Sequence, residues 1–116
     1  MGCRKIYSQN EYVLSATEFA QKMQEIDSYQ LIDVRTPEEF SEGYLQHSLN
    51  IDWKGAGFEE QLGLLDQSKP VFTYCRSGRR SIAAANKMRS KGFEVYELRG
   101  GILEWKESGL PIIVEN

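Results

Sequence analysis

Short apolar runs rich in β-branched and aromatic residues alternate along this chain with stretches in which apolar residues recur at helical spacing. Tyr12-Val13-Leu14 reads as a first short strand. Ser15-Ala16-Thr17-Glu18 has capping-box spacing, and Ala16, Phe19, Ala20, Met23 and Ile26 follow at helical intervals, which predicts a helix over about 15–26 with one buried stripe. Leu31 to Val34 is a second strand. After it, Thr36 can cap, Pro37 suits a first helical position and Glu39 stands three residues past the cap, so a short helix is expected from Pro37 to Glu42, stopped by Gly43.

Ser48 to Ile51 reads as a brief third strand, followed by a loose, glycine-containing region from Lys54 to Gly63 with Phe58, Leu62, Leu64 and Leu65 facing inward. Val71 to Tyr74, entered through Pro70, is a buried fourth strand. The helix that opens at Ile82-Ala83-Ala84-Ala85 runs to about Lys91, with Gly92 as its left-handed terminator. Phe93 to Leu98 is a fifth strand, and Gly100-Gly101 precedes a last short helix carrying Ile102, Leu103 and Trp105, closed by Gly109 and Pro111. Strands separated by helices of this length imply an α/β fold: an open parallel five-stranded sheet with helices on both faces, joined by right-handed crossovers. At 116 residues one domain is expected, from residue 12 to 116, after a polar, disordered tail over residues 1–11.

Charge narrows the function classes. A formal net charge of -3 with no extended basic stripe argues against a nucleic-acid surface, and no run approaches the ~18 apolar residues of a membrane span. Yet three of the seven arginines, Arg76, Arg79 and Arg80, fall within five residues of Cys75. That cysteine stands where a strand hands over to a helix N-terminus. Unpaired N–H groups, the positive end of the helix dipole and nearby cations all favour a thiolate there, so Cys75 is the candidate nucleophile. In open parallel sheets ligands bind beyond the carboxyl ends of the strands, which is where this residue lies. The competing reading is a buried structural cysteine beside arginines that solvate a loop.

Other chemistry finds little support. Cys3 and Cys75 are the two cysteines and lack the spacing of a zinc or dithiol motif, and His47 is the single histidine, so no metal or other cofactor is expected. His47 reads as a solvated loop residue. Met-Gly-Cys fails a myristoylation pattern at Ile6. A cytoplasmic location is the default expectation, with a periplasmic or lipid-anchored one as the alternative if a signal segment once preceded Cys3.

Three segments together resemble the rhodanese-like domain of the single-domain sulfurtransferase type. They are Leu31-Ile32-Asp33-Val34-Arg35 with Glu38-Glu39-Phe40 and Gly43, the loop Cys75 to Ser81, and Leu98-Arg99-Gly100-Gly101-Ile102-Leu103-Glu104-Trp105 with Gly109-Leu110-Pro111. Where the family usually reads His-Ile-Pro-Gly-Ala after the glycine, this chain has Tyr44-Leu45-Gln46-His47-Ser48, which implies a locally altered helix exit or pocket rim. The resemblance implies that Cys75 takes sulfane sulfur from a small anionic donor such as thiosulfate and passes it to cyanide or a thiol, including a protein thiol. Loop N–H groups would cradle the anion, with Gly78 supplying backbone freedom. Arg76 and Arg79 form the exposed pair that steers the donor. Arg80 positions the loop or contacts the anion, and Ser77 and Ser81 donate or cap. Asp33 and Arg35 have two readings, shaping the site or touching substrate, of which the first is favoured. Trp105 reads as core.

Two rivals stand beside this reading. A cysteine phosphatase or arsenate reductase would carry arginine six positions after the cysteine, where this chain has Ser81. A noncatalytic binding module is the rival from another class.

Overall fold

The computed structural model describes residues 11–115. The elements run β1 (Val13–Leu14), α1 (Ala16–Glu25), β2 (Gln30–Asp33), α2 (Pro37–Ser41), β3 (Leu49–Asn50), α3 (Phe58–Leu62), β4 (Val71–Tyr74), α4 (Arg79–Ser90), β5 (Val95–Leu98) and α5 (Gly101–Glu107). Five strands form one sheet in the order β1-β5-β4-β2-β3, and every neighbouring pair is parallel. The expected α/β architecture is therefore the observed one. The tail expected over residues 1–11, with Cys3, lies outside the described residues apart from Glu11.

Alternation along the central strand assigns the two layers. Val71 and Cys75 turn toward α3 and α4, where they pack with Phe58, Leu62, Ala84, Ala85 and Met88. Phe72 and Tyr74 turn the other way, onto Phe19, Ile102 and Trp105 of α1 and α5. A parallel sheet is covered on both faces, so its central strand has no polar side, and all four residues of β4 are buried. Trp105 is core as read, its indole N–H donating to the Pro111 carbonyl at 2.8 Å.

Both capping boxes form. Ser15 Oγ accepts from the Glu18 N–H while Glu18 accepts from the Ser15 N–H, and Thr36 and Glu39 repeat the arrangement at α2. Two details of the sequence reading change. The region from 54 to 63 contains the short helix α3, whose apolar face carries Phe58 and Leu62 into the core. Leu64 does not face inward: it is 85 % exposed, because the chain turns at the end of α3 and leaves only Leu65 packed against the cluster.

Parallel strands end on the same edge of the sheet. The segments that leave β2, β4 and β5 at Asp33, Tyr74 and Leu98 thus converge, and in-register pairing of Asp33 with Tyr74 sets the first two side by side. That edge carries every residue the sequence singled out for chemistry.

Candidate active site

Cys75 continues the alternation of β4 and so points beneath the loop it begins. The residue is 1 % exposed, which makes it the floor of the loop and not its rim. Among the described residues two backbone N–H groups donate to its Sγ, from Gly78 at 3.1 Å and from Ser81 at 3.3 Å. Both come from the start of α4, which opens earlier than the apolar pattern implied. Gly78 is its N-cap at φ 101°, so Arg79, Arg80 and Ser81 form the first helical turn. The Ser81 hydroxyl donates to the Gly78 carbonyl at 3.3 Å and thus closes the turn, while its N–H faces the sulfur. Arg76, Ser77 and Arg79 are exposed around this floor.

Glycine at two positions lets a neighbouring segment support the loop. A Cβ on Gly78 would run into the Arg99 carbonyl, and one on Gly101, itself at φ 66°, would strike the carbonyls of Cys75 and Arg76. The space between them is used for hydrogen bonds: Ile102 N–H donates to the Cys75 carbonyl at 2.9 Å and Leu103 N–H to the Arg76 carbonyl at 3.1 Å. The start of α5 is therefore the backing of the cysteine loop. Only the adjacent glycines after a strand signalled this in the sequence.

Asp33 and Arg35 form a buried ion pair on the other side. Asp33 accepts from the Arg35 guanidinium at 2.6 Å and from the Arg35 N–H at 2.9 Å, and the guanidinium also donates to the Gly43 carbonyl at 2.6 Å. Its carbon lies 5.7 Å from the centre of the Tyr74 ring. Burial, with the Asp33 charge beside it, pushes the Tyr74 phenol far up, so its hydroxyl serves as a neutral partner for the Leu45 N–H and Ser48. Asp33 has no exposed surface at all, and every polar atom of its carboxylate is engaged inside the fold.

Arg80 is paired with Glu39, and its guanidinium also interacts electrostatically with Cys75. Its two terminal nitrogens donate to the two carboxylate oxygens of Glu39, at 2.7 and 2.8 Å. Glu39, read in the sequence as a helix-capping residue within the first family-like segment, is thereby a further functional candidate. The Arg80 guanidinium and the Thr36 N–H hold its carboxyl down at about 2, from an ordinary 4.5. A carboxylate whose folded-state value is depressed stabilises the fold above its unfolded value and loses that contribution as pH falls toward the folded one. The stability gap between the protein and its Glu39→Gln variant is therefore expected to be full at neutral pH and to close between pH 4.5 and about 2, measured by chemical unfolding at each pH. A gap that does not change with pH would show that charge is not what Glu39 contributes.

The segment from Tyr44 to Ser48 leaves α2 in its own way. Tyr44 pairs with Ile113 in an antiparallel bridge, Leu45 is buried, and exposed His47 takes a left-handed φ of 72°. A cleft of about 310 Å³ borders this segment between α1 and α5, lined among others by Met23, Tyr29, His47 and Trp105. Beside the cysteine loop itself is a smaller depression of about 140 Å³, bordered by Arg76, Glu39, Glu42, Ile102, Leu103 and Lys106. Among the described residues no three His, Cys, Asp or Glu side chains gather into a group that could hold a metal ion, and no helix is long and apolar enough to cross a membrane.

A family model described as "Rhodanese-like domain" matches residues 15–108. The chain is 30% identical over 101 residues to a protein of Allochromatium vinosum named "Sulfurtransferase", spanning 86% of this chain and 92% of the relative. It is 35% identical over 94 residues to "Thiosulfate sulfurtransferase 16, chloroplastic" of Arabidopsis thaliana, over 72% of this chain and 78% of that one. Among solved structures, a rhodanese-related protein of Thermoplasma volcanium superposes with a TM-score of 0.79 at 28% identity, covering 89% of this chain and 98% of its own.

Proposed function

Because the chain belongs to the rhodanese-like domain family, we propose that it is a sulfurtransferase, with Cys75 as the sulfur carrier, thiosulfate or a persulfide as donor, and cyanide or a thiol as acceptor. The observation that carries this reading is the Cys75 sulfur receiving N–H groups from Gly78 and Ser81 at the start of α4. Two donors aimed at one sulfur stabilise charge on it, and a charge-assisted hydrogen bond contributes about 1.5–3 kcal/mol.

In the proposed reaction the Cys75 thiolate attacks the outer sulfur of thiosulfate. An S–S bond forms to Sγ, the bond between outer sulfur and sulfonate breaks, and sulfite leaves with the electron pair. Cyanide carbon, or an acceptor thiolate, then attacks the outer sulfur of the persulfide, and the electron pair returns to Sγ. Charge is conserved in both steps, so no oxidant or proton is consumed. Arg76 and Arg79, exposed beside the loop, would attract the anionic donor and ease the departure of sulfite. Arg80, with both terminal nitrogens on Glu39, would hold the loop in shape. A cytoplasmic location belongs to the same proposal, because a reducing compartment keeps such a thiol free.

One observation favours a noncatalytic module: Cys75 is 1 % exposed. Thiosulfate treatment followed by mass analysis separates the two. A gain of one sulfur atom on the Cys75 peptide, removed by cyanide with release of thiocyanate, is expected of the carrier. No gain from thiosulfate or from a persulfide donor would leave the binding module. Phosphatase activity is disfavoured, since the position six residues after Cys75 is Ser81, and Arg80, one residue early, is paired with Glu39.

A further inference from the structure

The Glu39 carboxylate joins the N-terminus of α2 to the first turn of α4. Its Oε1 accepts from the Thr36 N–H at 3.0 Å and from Arg80 at 2.7 Å, and Oε2 takes the second Arg80 nitrogen at 2.8 Å. Thr36 lies three residues beyond Asp33, whose backbone is registered against Tyr74 of β4. Arg80 immediately precedes Ser81, whose N–H reaches the Cys75 sulfur at 3.3 Å. Each Arg80 and Glu39 side chain is 24% exposed, so the pair is partly shielded from water, and its two parallel hydrogen bonds fix the orientation of the guanidinium.

The first turn of α4 needs such a constraint. Its N-cap is Gly78, which brings no side chain to cap the free N–H groups, and no acidic residue lies in that turn. Arg79 and Arg80 place two cations at the positive end of the helix dipole, an arrangement that by itself disfavours the helical turn. Glu39 supplies from another helix the negative charge that this terminus lacks.

We infer that Glu39 is a positioning residue for the Cys75 thiol: by clamping Arg80 to the α2 N-terminus it fixes the first turn of α4 and holds the Ser81 and Gly78 N–H groups on the sulfur. The inference rests on the sulfurtransferase reading for its catalytic consequence, but its geometric content concerns the thiol alone. Other charged groups border Glu39: Arg35 on its own segment, Glu42 at the end of α2, Arg76 on the loop and Lys106 on α5. All of these remain unchanged in the test.

Two substitutions with opposite charge effects decide the matter. Glu39→Gln removes a negative charge near Cys75, and Arg80→Met removes a positive one. The thiolate ultraviolet absorbance of each variant is followed against pH, as the difference from the same variant carrying Cys75→Ser. If Glu39 acts by position, both substitutions loosen the same turn, and both move the midpoint of the Cys75 titration upward, by about one pH unit. The double variant then shifts no further than either single one, because the pair acts as a unit. Midpoints that move in opposite directions would reduce Glu39 to a charge effect, with freed Arg80 turning to the sulfur. Unchanged midpoints beside a lowered Tm would make the pair a structural brace, as would failure of both variants to fold. Arg80→Met leaves the capping box of α2 intact, so it carries the comparison if Glu39→Gln alone fails to fold. A protein that accepts no sulfur yet shows the paired upward shift loses the proposed function and keeps this role for Glu39.

Discussion

Exchanging Cys75 for serine is expected to lower sulfur transfer from thiosulfate to cyanide by about a thousandfold or more, with little change in Tm. In the proposed reaction the attacking atom forms an S–S bond and later releases it, and a hydroxyl oxygen offers neither the nucleophilicity nor the leaving ability of a thiolate. The fold should tolerate the change. Serine is close in shape, the Gly78 and Ser81 N–H groups that meet Sγ remain available to its oxygen, and the contacts of Ile102 and Leu103 with the loop are made to backbone carbonyls. Thiocyanate formation and thermal unfolding, measured on the same preparations, check both halves. Activity that survives within tenfold would remove Cys75 from the reaction and with it the proposed mechanism.

The second large effect falls on stability. Asp33→Ala is expected to destabilise the domain by about 3–5 kcal/mol, the cost of stranding one member of a buried ion pair. Arg35 is 5 % exposed and would keep the Gly43 carbonyl but lose all four hydrogen bonds to the carboxylate, three from its guanidinium and one from its N–H. Because Asp33 is 0 % exposed it has no path to a substrate, so the folded fraction of the variant should retain the KM for thiosulfate. Chemical unfolding gives the first quantity and steady-state kinetics below the transition the second. A stable variant with a raised KM would assign Asp33 to substrate binding, the reading disfavoured here.

The parts of the site that were legible in the sequence are those in which cause and effect lie within a few residues. Thr36 and Glu39 announce a capping box by their spacing, and the box forms. Val71 to Tyr74 announce a fully buried strand, and the next residue, Cys75, must then emerge at its carboxyl end. The apolar pattern puts the start of α4 three residues late because Arg79-Arg80-Ser81 lack the periodicity that marks a helix, while Gly78 at φ 101° opens it regardless. Leu64 departs from the pattern for the opposite reason: an apolar side chain at a turn has no partner when the chain reverses there, and it stays in solvent.

Local pattern thus determined the order of the five strands and of every helix but α3, the two-sided burial of β4 and the position of the thiol at its end, since hydrophobic period and capping chemistry act over one or two turns of chain. Only the tertiary structure decided where the groups around the thiol point. Arg80 gives both terminal nitrogens to Glu39, 41 positions away in the chain. Gly101 lies under the carbonyls of Cys75 and Arg76. Parallel crossovers bring the ends of β2, β4 and β5 to one edge, and which side chains meet there depends on register and packing that no single stretch of sequence contains.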